Sequence, residues 1–291
     1  MATIVLVAKS PTSGASKTRL THQLAAFRNG ESASSSLETE LQLADAQRWT
    51  AAFSRASVKD LVTRISRRLH SQGFSTGHCI LLYSPPNDAA RAYFAELLAE
   101  VGSCGSGWTL MPVLARSDAR SSDLGGVLAD AMTRALSRPG CTRVCFLGSD
   151  CPELPIESIS ECMSAAEDTG VAGLCPASDG GYTFLALPAE ANAASAFDAV
   201  HWSAPDTALS QLAALSRAGL RCHVGPTHAD VDELDDLRAL SARLRASERL
   251  SALCPSTAAL CAEMRPVLEP GLGAAEEDRA AVDDTDSTGA T

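Results

Sequence analysis

The strongest constraint on this chain is an alternation of short, continuous apolar runs with longer stretches whose apolar residues recur at helical spacing. A run of four to eight apolar residues without polar alternation suits a strand covered on both faces, and a helical crossover between two such strands makes them parallel. Strands are expected near 4–8, 79–83, 108–113, 144–147, 171–175, 182–187 and 221–224. Helices are expected around 19–27, 37–70, 88–101, 126–137, 156–168, 206–218 and 233–247. This is the order of βαβ units, so the expected fold is a three-layer α/β/α sandwich built on a mostly parallel, twisted sheet. Only 4% of the residues are aromatic while alanine and leucine abound, which fits helices packed on a sheet better than a β-sandwich.

The 291 residues, 45% of them apolar, can bury one large α/β core. The expected organisation is a main domain over 1–250, a C-terminal helical extension over 251–270 and a disordered acidic tail over 271–291. The tail carries Glu276, Glu277, Asp278, Asp283, Asp284 and Asp286 against the single base Arg279. A net charge of -11 argues against nucleic acid as the main ligand. The ten cysteines form no C-x-x-C pair and several sit in apolar runs, so they read as buried, reduced thiols and not as a zinc site. The run Ile4 to Ala8 follows no basic leader and reads as a strand, not a signal peptide. No apolar stretch approaches roughly 18 residues, so no membrane span and a cytoplasmic location are expected. The small-residue stretch 29–36 reads as a flexible loop.

Chemistry is concentrated where strands should end. Leu147-Gly148-Ser149-Asp150-Cys151-Pro152 leaves a buried strand, and open α/β sheets bind ligands beyond the carboxyl ends of their strands. Asp150 there suits a hard divalent cation, Mg²⁺ or Mn²⁺, or else caps a helix N-terminus. The first strand runs into Lys9-Ser10-Pro11-Thr12-Ser13-Gly14-Ala15-Ser16-Lys17-Thr18-Arg19-Leu20, small residues with three bases before a helix. Such a loop is either a phosphate cradle or a solvated basic turn, and it lacks the spacing of a Walker loop. Asp179-Gly180-Gly181-Tyr182, between two expected strands, is either a hairpin turn or a place where substrate approaches the backbone closely. In Asp230-Val231-Asp232, Asp232 is placed to cap the following helix and Asp230 to face the cleft, where it and Asp150 could share one ion. Asp123-Leu124-Gly125-Gly126 reads as a cap, and Trp202-Ser203 before Asp206 as a packed aromatic followed by another cap.

Taken in order, Ala8-Lys9-Ser10-Pro11, Gly14 to Leu20, Asp123-Leu124-Gly125, Gly148 to Pro152, Asp179 to Tyr182, Trp202-Ser203 and Asp230-Val231-Asp232 with Asp236-Leu237 resemble the rSAM/selenodomain-associated transferase family. That family looks like a GT-A glycosyltransferase or nucleotidyltransferase fold, and the resemblance spans roughly 3–244. It implies that Lys9, Gly14, Lys17 and Arg19 hold nucleotide phosphates, that Asp150 binds the metal, and that Asp230 is its second ligand. It places Gly180, Gly181, Tyr182 and Trp202 on the acceptor side. Ala204 stands where the family often has threonine, and Glu233-Leu234 where it often has Thr-Pro, which weakens inference about acceptor contacts near Trp202.

The reading that follows is a metal-dependent transferase. It takes a nucleotide or nucleotide-sugar donor and moves a glycosyl group to a small-molecule acceptor, with Asp150 and Asp179 as catalytic carboxylates and Asp179 as activating base. A nucleotidyltransferase releasing pyrophosphate, and an idle nucleotide-binding regulator, are the alternatives.

Overall fold

The computed structural model describes residues 1–11, 17–29, 36–70, 76–114 and 124–269. Gly14, Asp123, the loop 30–35 and the tail 271–291 lie outside the described residues. Seven strands form one sheet: β1 (Ala2–Lys9), β2 (Thr76–Ser84), β3 (Trp108–Pro112), β4 (Arg143–Gly148), β5 (Val171–Pro176), β6 (Tyr182–Pro188) and β7 (Arg221–Val224). Their spatial order is β3-β2-β1-β4-β6-β5-β7. All are parallel except β6, which runs antiparallel to both β4 and β5. Each strand expected from the sequence is present, within two or three residues at its ends.

The helices are α1 (Thr18–Asn29), α2 (Ser36–His70), α3 (Asp88–Glu100), α4 (Ser103–Ser106), α5 (Leu124–Leu136), α6 (Ile156–Ala165), α7 (Ala193–Ala196), α8 (Thr207–Arg217), α9 (Leu234–Ala246), α10 (Glu248–Leu253) and α11 (Pro255–Leu268). Period-2 alternation sorts the strand residues onto two faces. Ile4, Leu6, Leu81, Cys145, Leu147 and Phe184 meet α2, α3 and α6 through Leu61, Phe94 and Ile159. Val5, Ile80, Leu82, Phe146, Leu174 and Leu185 meet α5, α7 and α8 through Leu128, Met132, Ala196 and Leu215. Helix α3 starts where Asn87 Oδ1 accepts from Ala90 N at 2.9 Å.

A third apolar cluster lies off the sheet. At 35 residues α2 is about 50 Å long, more than the sheet alone needs. Its first half carries Phe53 to Leu20 and Leu24 of α1, Leu237 and Leu240 of α9, and Leu260 and Met264 of α11. Asp60, 1% exposed, accepts from Ser256 N at 3.0 Å, Thr257 N at 2.8 Å and Thr257 Oγ1 at 2.7 Å. The first-turn amides of α11 are thereby satisfied from α2 and not from their own chain segment. Cys254, Cys261 and Leu268 of the same C-terminal segment also belong to this cluster.

Candidate active site

Strand order reverses at β1. The chain moves outward from β1 to β2 and β3, then returns to place β4 on the opposite side, which leaves a crevice above the carboxyl ends of β1 and β4. Asp150 lies two residues beyond β4, in this crevice. It caps no helix, because α6 begins at N-cap Pro155.

The other carboxylates arrive by two loops. The turn between β5 and β6 closes with Ala177 N donating to Gly181 O at 2.8 Å, so Asp179-Gly180-Gly181 is the hairpin turn its sequence suggests. Gly181 N donates to Asp179 Oδ1 at 2.7 Å and fixes that carboxylate at the tip. Gly180 has φ +90°, and a Cβ there would lie 1.8 Å from Pro205 O. Its requirement for glycine is therefore contact with the Trp202–Pro205 loop, while Gly181 lines the cleft. After β7, His228 N donates to Pro176 O and Ser178 N to His228 O, which lays the chain along the hairpin. Val231 N then donates to the Asp150 carbonyl at 3.0 Å and ties this loop to the β4 exit.

Alternation along Asp230-Val231-Asp232 buries Val231 and turns both aspartates to the same side. Here the structure corrects the expectation that Asp232 caps the following helix. The N-cap of α9 is Glu233, and Asp236 accepts from the backbone N–H of Glu233 at 2.9 Å and of Asp232 at 3.1 Å. The Asp232 side chain is left for the cleft, a role the D-x-D spacing could have signalled. Asp179, Asp230 and Asp232 each bring one carboxylate oxygen to within 4.8 Å of the other two. Burial, then the charges of Asp179 and Asp232, push the Asp230 carboxyl up to about 6.

Lys17 answers this charge from beneath. Its side chain is 5% exposed and sits 2.8 Å from Asp150 Oδ1 and 3.1 Å from Asp232 Oδ1. It also donates to the Val231 carbonyl and stands 5.8 Å from the centre of the Phe53 ring. Burial pulls its pKa down, but Asp150 and Asp232 together outweigh this and raise it above 10.5. Lys17 has φ +50°, uncommon for a side chain without a local polar tether. Arg19, 62% exposed, reaches Asp232 Oδ2 at 2.5 Å and Glu233 Oε1 at 3.2 Å and lines the cleft. Lys9 ends β1 with an exposed side chain and is not part of the cleft lining.

The cleft holds about 790 Å³. Its lining combines the four aspartates with Val7, Leu124, Leu128, Phe146, Tyr182 and Trp202. Trp202 meets Tyr182 edge-on at 6.3 Å and Phe197 at 6.4 Å between ring centres. Gly125 lets its indole come close, since a Cβ there would be 3.0 Å from Nε1. The Tyr182 hydroxyl donates to Gln211 Oε1 at 3.2 Å, and burial pushes its pKa up. Ser203, with φ +57°, follows Trp202 at the cleft edge. Asp206 holds the N-cap position of α8, as expected, but its carboxylate pairs with His201 Nδ1 at 2.8 Å and caps no amide.

This is a mixed α/β, GT-A-like fold, with the candidate site at the sheet's topological switch. A family model described as "Uncharacterized protein conserved in bacteria (DUF2064)" matches residues 71–204. A provisionally assigned nucleotide-diphospho-sugar transferase from Desulfovibrio desulfuricans G20 has a similar structure, with a TM-score of 0.69 and 23% identity, over 92% of this chain and 96% of that one. A cytidylyltransferase from Leptospira borgpetersenii serovar Hardjo-bovis has a TM-score of 0.48 and 10% identity, over 92% of this chain and 97% of that one. The mannosyltransferase PcManGT from Pyrobaculum calidifontis, in complex with GDP-Man and Mn²⁺, has a TM-score of 0.41 and 12% identity, over 98% and 79%. The first likeness establishes the fold, and the other two are too distant to carry an argument. No curated protein matches the chain.

Proposed function

We propose that this protein is a metal-dependent transferase. It would bind a nucleoside-diphosphate sugar, or a related activated nucleotide, above β1 and β4 and pass the glycosyl group to a small acceptor. The observation that carries this reading is the convergence of Asp150, Asp179, Asp230 and Asp232 from three separate chain segments on one cleft at the sheet switch. Burial first, and then the charges of Asp179 and Asp232, hold the Asp230 carboxyl up, a cost that a bound divalent cation would relieve. Hard oxygen donors at this spacing fit Mg²⁺ or Mn²⁺. That spacing is shared by Asp179, Asp230 and Asp232; of these, Asp230 and Asp232 would hold the ion together with Asp150, which lines the same cleft, and the bound ion would supply Lewis-acid stabilisation of a departing diphosphate.

The chain's own groups divide the remaining work. Arg19, at the cleft and mostly exposed, supplies a charge-assisted contact to phosphate. The N-terminus of α1, at Thr18, adds its positive end. Lys17 serves first as counter-ion to Asp150 and Asp232. Asp179, held by the Gly181 amide, is the carboxylate that takes the acceptor's hydroxyl proton. The same fold and motifs fit membership of the rSAM/selenodomain-associated transferases.

Calorimetry of nucleoside diphosphates and nucleotide sugars with and without Mn²⁺, followed by product analysis, tests the reading. Metal-dependent binding, lost in Asp150→Asn, and release of nucleoside diphosphate are expected. Pyrophosphate released from a nucleoside triphosphate would replace glycosyl by nucleotidyl transfer, and metal-independent binding without turnover would make the protein a regulator.

A further inference from the structure

Cys162 of α6 and Cys175 of β5 meet sulfur to sulfur at 3.4 Å, and both are 0% exposed. Two glycines make that approach possible. A Cβ on Gly173 would lie 2.4 Å from the Cys162 carbonyl oxygen and 2.7 Å from its Cα, so α6 presses onto β5 here only because residue 173 has no side chain. A Cβ on Gly225 would lie 3.1 Å from each sulfur. Gly225 is itself part-exposed, which sets the buried pair one glycine below the surface. Closing the gap to the roughly 2.05 Å of a disulfide takes a movement of about 1.4 Å, which rotation of the two side chains can share.

The pair also stands where the loop carrying the carboxylates is fastened. Cys175 lies between Leu174, whose carbonyl accepts from Gly225 N at 2.8 Å, and Pro176, whose carbonyl accepts from His228 N at 2.9 Å. On the α6 side, Ser158 Oγ is 3.1 Å from His228 Nε2. The segment so held leads directly to Asp230 and Asp232. The hydrogen bond from the Cys175 thiol holds the Cys162 pKa below the usual thiol value in spite of burial, while that same bond and then burial push Cys175 up. Cys162 is thereby the readier nucleophile of the two.

We propose that Cys162 and Cys175 form a reversible oxidation site, which hydrogen peroxide converts to a disulfide, and that closing this bond loosens the loop over 225–232. Cys162 Sγ attacks a peroxide oxygen, the O–O bond breaks, and Cys162 becomes a sulfenic acid as one water leaves. Cys175 Sγ, giving up its proton, then attacks the Cys162 sulfur; the S–S bond forms, the sulfenic S–O bond breaks, and a second water leaves. Two thiols are oxidised by two electrons, and one hydrogen peroxide is reduced to two waters. As the sulfurs draw together, β5 and its two anchoring carbonyls move against α6. The effect on ion binding at Asp230 and Asp232 rests on the transferase reading; the disulfide does not.

The test uses the full chain, first reduced with dithiothreitol, then freed of it and treated with hydrogen peroxide under native conditions. Remaining thiols are alkylated, and digestion at glutamates cuts at Glu167, between the two cysteines. Mass spectrometry should find a crosslink between Cys162 and Cys175, lighter by two hydrogens and lost on renewed reduction. Backbone amides of 225–232 should exchange about tenfold faster in the oxidised protein. Cys162→Ala and Cys175→Ser, each checked for a native Tm, should form no such crosslink and show no peroxide effect on exchange. Free thiols at both positions after peroxide, crosslinks to other cysteines in place of this one, or a crosslink that leaves exchange unchanged overturns the proposal. Mn²⁺ titrated into the same samples should bind the oxidised protein about tenfold more weakly. A reduced protein that binds no Mn²⁺ counts against the metal-dependent reading, while crosslink mapping and amide exchange still decide this one.

Discussion

Replacing Lys17 by methionine removes the ammonium while keeping the length and apolar body of the side chain. Each of its two ion pairs, at 2.8 and 3.1 Å, corresponds to about 5–6 kcal/mol of attraction at an effective dielectric of 20. Much of that is offset by desolvation of an ammonium that is only 5% exposed. Breaking a fully buried pair costs about 3–5 kcal/mol. Asp150 and Asp232, 44% and 31% exposed, regain water when the ammonium is lost, which lowers the expected destabilisation to about 1–3 kcal/mol. For a chain of this size that is a fall of about 2–5 °C in Tm. Because Lys17 contacts two of the carboxylates assigned to the cation, the tethered ammonium and a divalent ion compete. Thermal melts with and without MnCl₂ should therefore show the variant gaining more from the metal than the wild type, up to about 2.7 kcal/mol at a hundredfold excess over Kd. Mn²⁺ titrated by electron paramagnetic resonance should bind the variant about tenfold more tightly. Equal stabilisation of both proteins would place the ion away from Lys17, and an unchanged melt in its absence would show that the ion pairs contribute nothing net.

Asp230 has a folded pKa raised from 3.8 to about 6, so its contribution is most favourable below 3.8 and is lost as pH rises through about 6. Asp230→Asn should consequently be more stable than wild type at about pH 7.5 without added cation, with the two converging below about pH 4; a variant that is less stable at neutral pH would contradict the repulsion. Asp60→Ala should cost about 2–4 kcal/mol in urea unfolding, since it strands the buried Thr257 amide and hydroxyl and the part-buried Ser256 amide. Gly180→Ala should lose about 2 kcal/mol or more and disturb Trp202 fluorescence, because the added methyl meets the Pro205 carbonyl at a φ unsuited to alanine. Deleting 271–291 should leave Tm and turnover nearly unchanged, as that acidic segment has too few apolar residues to add to a core.

The sheet was legible in the sequence because its signal is local. Runs such as Val144 to Leu147 and Phe184 to Leu187 are apolar at every position, and a strand covered on both faces needs nothing else. Asp150, Asp179 and Asp230 were legible as strand-end carboxylates for the same reason, since the end of an apolar run marks the end of a strand. The partners of these groups were not legible. Lys17 reads as a phosphate ligand beside Gly14 and Arg19, yet its ammonium meets Asp232, 215 residues away. Asp232 reads as a cap, yet Glu233 takes the cap position and releases its neighbour to the cluster. The same holds for Asp60 and α11, whose first amides are bonded 197 residues back along the chain. Local pattern determines which segments become strands and helices, because backbone geometry and side-chain period are properties of neighbouring residues. Which charges face one another depends on strand order and on the paths of the loops, and in this protein only the tertiary structure decided that Lys17 would lie among the acids.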